Sequence, residues 1–244
     1  MSYNRLIVLI LAASLAACSP NQAPPTTTPT LEVWRLQYTP ALKWMEPIFN
    51  QCTTQQIGTG LLVQEITAPN LNLQEADLLL RWGENGEISG KAVIIGYDRL
   101  VVTVHPNNPF NSLAADELAA VYNGKVSAWD ELDPSLPAEP IIAWSYPQGS
   151  ETQRVFDETF PAYNPVGLLH LAPGPAEMVT ALSEDPNAVG FLPGRWMDNG
   201  LRSVTITDLD PEIQPVPILG IAPSVPQGIY RDWLLCLQNT LSAQ

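Results

Sequence analysis

Ile141-Ile-Ala-Trp-Ser-Tyr-Pro-Gln-Gly-Ser-Glu-Thr-Gln-Arg-Val-Phe156 is the stretch whose reading decides the fold. Ile141 to Trp144 is an apolar run of strand length, and Pro147 and Gly149 turn it into Ser150, a good helix N-cap. A helix from Glu151 to Phe160 should follow. Strand, tight turn and helix start together offer free backbone N–H groups to a small anion or polar group, with the hydroxyls of Ser150 and Thr152 beside them.

Outward from this unit the same alternation recurs. Leu31 to Leu36 reads as a strand, and Ala41 to Cys52 as a helix with Leu42, Met45, Ile48, Phe49 and Cys52 at helical spacing. Leu61 to Ile66, Ala76 to Leu80, Ala92 to Gly96 and Leu100 to Val104 read as strands. A helix capped by Ser112 should stop at Asn123-Gly124, and Lys125 to Leu132 forms a short turn with one aromatic, Trp129. Ala188 to Leu192 is an apolar strand before Pro193-Gly194, a natural hinge. Val204 to Ile206 and Ile213 to Ile221 follow, then a helix from Pro226 to Leu241 with Tyr230, Trp233, Leu234, Leu237 and Leu241 on one face. This is an α/β pattern.

Residues 1–17 combine a basic start at Arg5, an apolar run from Leu6 to Ala13, and Leu15-Ala16-Ala17 before Cys18. The spacing resembles the bacterial lipobox, which implies a signal peptide over 1–17, lipidation of Cys18 and an extracytoplasmic location on the membrane. Residues 18–30, rich in proline and threonine, should be a disordered tether. Net charge is −14, or −15 with the single charge of Arg5 removed, which argues against nucleic-acid binding and against a polybasic membrane patch. Cys52 and Cys236 remain in helical segments. An oxidising compartment permits a disulfide between them, and burial as two free thiols is the other reading.

Three further motifs stand in one order. Val101-Val-Thr-Val-His-Pro-Asn-Asn-Pro109 precedes Ser112-Leu113 and Val121-Tyr-Asn-Gly-Lys-Val-Ser-Ala-Trp-Asp-Glu-Leu132. Gly149-Ser150-Glu151-Thr152 follows, with Phe156 in its helix, and then Val179 to Phe191. Together they resemble the phosphate-binding-protein family of periplasmic solute receptors, over 100–192. The resemblance implies a type II periplasmic-binding-protein fold: two α/β lobes, hinge strands and a cleft between the lobes. Lobe one would take 31–98 plus 196–244, and lobe two 99–195. It also implies a monomer that binds a small anionic or polar solute by hinge closure, works with ABC permease subunits and is held to the membrane by its lipid. The alternative is a degenerate domain of this type serving as a tethered sensor or protein-interaction scaffold.

Matched residue by residue, Ser150 and Thr152 correspond to the hydroxyl residues of the family's G-S-G-T turn, and Gly149 to its first glycine. Gln153 stands at its following polar position, and Thr39 at the first-loop hydroxyl pair. Arg81 and Trp82 replace an acidic pair, and Tyr146 stands where an arginine is common. Arg81 could offer a forked, charge-assisted contact to an oxyanion. Glu151 replaces the intervening glycine. A carboxylate beside bound phosphate would oppose it by about 4 kcal/mol at ~4 Å and an effective dielectric of ~20. Either Glu151 points outward or the ligand is not phosphate-like.

Catalytic chemistry finds no support. His105 and His170 stand alone, Gly149-Ser150-Glu151 lacks the second glycine of a nucleophile elbow, and no metal-ligand spacing occurs. No catalytic residue, metal or cofactor is expected.

Overall fold

In a computed structural model, which describes residues 32–56, 58–84, 86, 88–162, 164, 169–197, 200–209 and 215–243, the strands fall into two five-stranded sheets. The lipobox with Cys18, the tether and the first residues of the strand expected from Ile213 lie outside the described residues.

The first sheet is built from β1 (Glu32–Tyr38), β2 (Thr59–Glu65), β3 (Leu78–Trp82), β4 (Lys91–Asp98) and β12 (Val216–Ala222), in the order β2-β1-β3-β12-β4. β1 runs parallel to β2 and β3, and β12 runs antiparallel to β3 and β4. The β1-to-β2 crossover is a 3-10 helix, Pro40–Met45, continued by α1 (Glu46–Thr54). Trp34, Leu36 and Tyr38 alternate on β1, so one face of the sheet meets α1 and the C-terminal helix α6 (Gly228–Ser242). There Trp34 stacks on Tyr230 at 4.4 Å, and Trp233 meets both Trp34 and Phe49. Cys52 and Cys236 form a disulfide that joins α1 to α6 across 184 residues.

The second sheet takes β5 (Leu100–Val104), β7 (Ile142–Ser145), β8 (His170–Leu171), β9 (Ala188–Pro193) and β10 (Arg202–Ser203), in the order β10-β5-β9-β7-β8. A small parallel pair, β6 (Ser112–Leu113) with β11 (Thr205–Ile206), lies apart from it. Around these pack α2 (Ala115–Tyr122), α3 (Trp129–Leu132), α4 (Glu151–Thr159) and α5 (Pro175–Glu184). Their core is aromatic: Phe156 lies 3.9 Å from Phe191 in a stacked pair, and Tyr122, Tyr146 and Phe160 close around them.

Two sheets, each with its own core, make a two-lobe α/β fold of the periplasmic-binding-protein type. Two local readings are corrected. Ser112 is no helix cap; it is in β6, and α2 starts after Ala114, whose N–H is accepted by the Glu117 carboxylate. Arg202–Ser203, expected with the first lobe, pairs with Thr103 and Val104 of the second sheet. Runs of two residues carry no periodicity, so only their partners define them.

The chain crosses from the first sheet to the second at Asp98-Arg99 and re-enters the first at β12; a 3-10 turn after β9, Gly194–Trp196, lies against the first crossing. The Asp98 carboxylate ties the crossing to this turn. It accepts from Trp82 Nε1 (3.1 Å), from the Arg99 N–H (2.8 Å) and from the Arg195 N–H (3.4 Å). Burial pushes its pKa up, against those three donors and the charge of Arg195. A Cβ on Gly194 would stand 2.8 Å from Asp98 Oδ1 and 3.0 Å from Arg99 Cγ, so the two hinge segments approach too closely for any side chain there.

Candidate functional site

Three loops meet where the lobes touch. From the first lobe comes the turn after β1, Thr39-Pro40-Ala41. Its backbone is set by the Thr39 N–H, which donates to Leu80 O at 3.2 Å, and Thr39 is fully buried. Pro40 has no N–H, so the first usable amide of the helical segment is that of Ala41. Thr39 occupies the N-cap position without making a side-chain cap bond.

From the second lobe comes the start of α4, where Gly149 takes φ +86°, a left-handed conformation that favours glycine. Its nearest outside neighbour is Pro69 of the first lobe, 3.5 Å from where a Cβ would be. The Ser150 hydroxyl oxygen accepts from the Gln153 N–H at 3.2 Å and so caps α4. The Gln153 side chain turns inward: its Oε1 accepts from Ser145 Oγ (2.6 Å) and the Tyr146 N–H (3.1 Å), and its Nε2 donates to Asp157 (2.7 Å). Thr152 is buried on the same turn. Phe156, one turn further on, holds the helix to the core of its lobe.

The third contributor is Arg81, buried near the end of β3. Leu78, Leu80 and Trp82 belong to the α1/α6 face, so alternation sends Arg81 to the opposite face. There the turn at Gly86 covers its guanidinium, Nη1 lying 3.1 Å from the position of a Gly86 Cβ. Burial lowers the Arg81 pKa, as does the neighbouring Arg154 cation, while Glu151 and Glu158 raise it.

Glu151 points inward, so a phosphate-like solute at this junction would meet its carboxyl group. It is 3% exposed, and its Oε1 accepts the Ala41 N–H across the junction at 3.1 Å. It thus caps a helix of the other lobe in place of Thr39. Burial pushes its carboxyl up to about 7, opposed by the Thr39 hydroxyl, the Ala41 N–H and the charges of Arg81 and Arg154. Thr39 Oγ1 and Glu151 Oε2 are both buried, and neither has a partner at full hydrogen-bond geometry. Lobe-to-lobe contact continues along α4. Arg154 Nη2 donates to Glu84 O at 3.2 Å, and Val155 joins the core of the first lobe. On the other side Trp196 Nε1 donates to Ala41 O at 2.7 Å.

The sequence reading placed Thr39, Arg81, Gly149, Ser150, Thr152 and Gln153 in one neighbourhood, and all six lie around this junction. It did not foresee the Ala41 amide or the inward Glu151. A proline directly before Ala41 is the one local signal for the amide. Tyr146, at the position of an expected arginine, is buried, and its hydroxyl donates to Phe191 O at 3.0 Å. His105 serves its turn, with Nδ1 accepting the Asn107 N–H. A cavity of about 450 Å³ lies elsewhere, beside the hinge, and its walls, Leu100, Val102, Phe160, Val204 and Val216 among them, include no residue of the junction. Among the described residues no group of three or more His, Cys, Asp or Glu could hold a metal ion.

Residues 72–212, more than half of the chain, match the sequence profile of the PBP superfamily domain. The chain belongs to the PBP superfamily. That membership, with the fold, is that of a binding domain and not of an enzyme. A curated relative is the phosphate-binding protein PstS of Staphylococcus saprophyticus, 25% identical over 107 residues. The match takes in 41% of this chain and 34% of that relative, so the chain spans about a third of its length. Among solved structures, a protein of Clostridium perfringens described as a phosphate ABC transporter substrate-binding protein, with bound phosphate, superposes with TM-score 0.71 and 17% identity. The superposition covers 84% of this chain and 93% of that one. An ABC-type phosphate transport receptor from Vibrio cholerae gives TM-score 0.64 and 16% identity, over 86% and 95% of the two chains. These two likenesses establish the superfamily's fold.

Proposed function

We propose that the chain is the extracytoplasmic, lipid-anchored solute-binding protein of an ABC-type importer. It closes its lobes on a small oxyanion of the phosphate type or on another small polar solute. The observation that carries this reading is the buried polar junction, where Thr39 and the Ala41 amide face the first turn of α4, with Arg81 behind them. Buried polar groups from two lobes are costly to keep unless a ligand or each other satisfies them. The phosphate-binding names of the relatives support the same class of solute, and the lipobox at Cys18 supports the location. Residues 31–98 with 196–244 and residues 99–195 would be the moving bodies, with 202–203 and 205–206 travelling with β5 and β6, the strands they pair with. Solute that bridges the lobes stabilises the closed form through its differential affinity for it.

The side chains of Ser150 and Gln153 already serve the α4 cap and the Ser145-Tyr146 contact. The groups proposed to meet a solute are the side chains of Thr39, Thr152 and Arg81, with the backbone at Gly149 and Ser150. Calorimetry with phosphate, sulfate, molybdate, amino acids and small sugars tests this. One class should bind, and Arg81→Ala and Thr39→Val should each weaken it at least tenfold. Unchanged affinity in both variants rejects the site. Binding of no solute rejects the receptor and leaves the second reading, a tethered sensor or scaffold, which the inward Glu151 favours because it takes up a donor that a solute would use.

A further inference from the structure

The seat formed by Thr39 and Ala41 in the first lobe is filled by a group from the second. Glu151 is 110 residues away in sequence, yet its carboxyl is the acceptor for the Ala41 amide, the first that Pro40 leaves available. At 3% exposure it is out of water, and it shares its surroundings with Thr39 and the cation of Arg81. The seat is not fully satisfied by it, since Oε2 and Thr39 Oγ1 both remain buried without a hydrogen-bond partner. An oxyanion with more acceptor oxygens could engage both donors at once.

Resting on the site proposed above, we infer that the Glu151 carboxyl group is a built-in occupant of that site: it latches the lobes together in the solute-free protein, and an incoming oxyanion has to displace it from the Ala41 amide. Glu151 is then also the residue that sets selectivity, because only a solute that outcompetes a tethered carboxyl group gains entry. The latch works alongside the Arg154 to Glu84 bond and the Val155 contact, and it differs from them in occupying the donors of the site.

Hydrogen-exchange mass spectrometry on the full lipidated chain in detergent micelles tests the latch without any solute. Glu151→Ala and Glu151→Gly should raise exchange in segments 39–45 and 146–156 at least tenfold while α6 stays protected. Glu151→Gln, which keeps an oxygen in place, should match the wild type. Glu151→Asp, one methylene shorter and well suited to a helix start, should open like Ala and supplies the answer if truncation costs the fold. Unchanged exchange in the Ala, Gly and Asp variants overturns the latch, because α4 packing alone then closes the lobes. Calorimetry with inorganic phosphate separates the two proposals. At least tenfold tighter binding by Glu151→Gly than by wild type supports displacement. Equal binding by both, with unchanged exchange, rejects the latch and keeps the receptor. Increased exchange with no phosphate bound by either keeps the latch and rejects the oxyanion reading.

Discussion

Glu151 shows how one side chain is governed by its surroundings. In water a glutamate is ionised at neutral pH; here burial holds the carboxyl neutral up to about 7. The sign of the pH effect follows. The folded pKa lies above the unfolded one, so the stability associated with this group is fully present below about 4.5 and is lost as pH rises through about 7. The loss amounts to about 3 kcal/mol at most. Urea unfolding of wild type and Glu151→Gln between pH 4 and 8 should show the wild type alone losing stability by that amount across this window. A difference that stays flat with pH would mean that the carboxyl is not held in the buried seat. Asp98, whose pKa is also raised by burial, contributes with the same sign, and it cancels in the comparison of the two proteins.

At the scale of elements, α4 carries the second lobe's side of the junction because its start and its body are fixed. Its start is set by the left-handed turn at Gly149 and the Ser150 cap, and its body by Phe156 stacked on Phe191. Ser150→Ala should cost about 1 kcal/mol through loss of the cap. Phe156→Ala, which empties a fully buried position, should cost about 3–5 kcal/mol. Denaturant melts give both numbers, and the order of the two is the point: packing, more than capping, holds the helix where Glu151 can reach Ala41. A larger loss from Ser150 would reverse that assignment.

At the scale of the whole molecule, the chain leaves the first sheet at Asp98 and returns to it at Val216, and the disulfide ties its two portions together. Closing a loop of this length restricts the unfolded chain, and removing the bond by Cys236→Ser should cost about 3–5 kcal/mol. A shift of that size in the unfolding midpoint, with the second lobe's aromatic core unchanged by near-UV circular dichroism, is the expected result. Loss of order in both lobes at once would show that the lobes do not keep separate cores. Asp98 is the complementary feature, a single carboxylate that accepts from a strand indole, from the crossing at Arg99 and from the turn after β9.

The sequence by itself determined the elements with their own repeat. The helical spacing of Leu42, Met45, Ile48, Phe49 and Cys52, the buried run of β3 and the strand-turn-helix unit at 141–156 are all legible from periodicity and turn residues. The neighbourhood of the junction was legible too, because in α/β folds strand ends followed by helix starts gather on one side of a sheet. Tertiary structure alone decided what lacks a local signal: the two-residue strands, the pairing of Cys52 with Cys236, the cover over Arg81 and the direction of Glu151. A carboxylate at the first position of a helix satisfies local rules whether it faces water or another lobe. Only an amide left free by Pro40, in a loop 110 residues earlier and brought within 3.1 Å by closure of the fold, turns it inward.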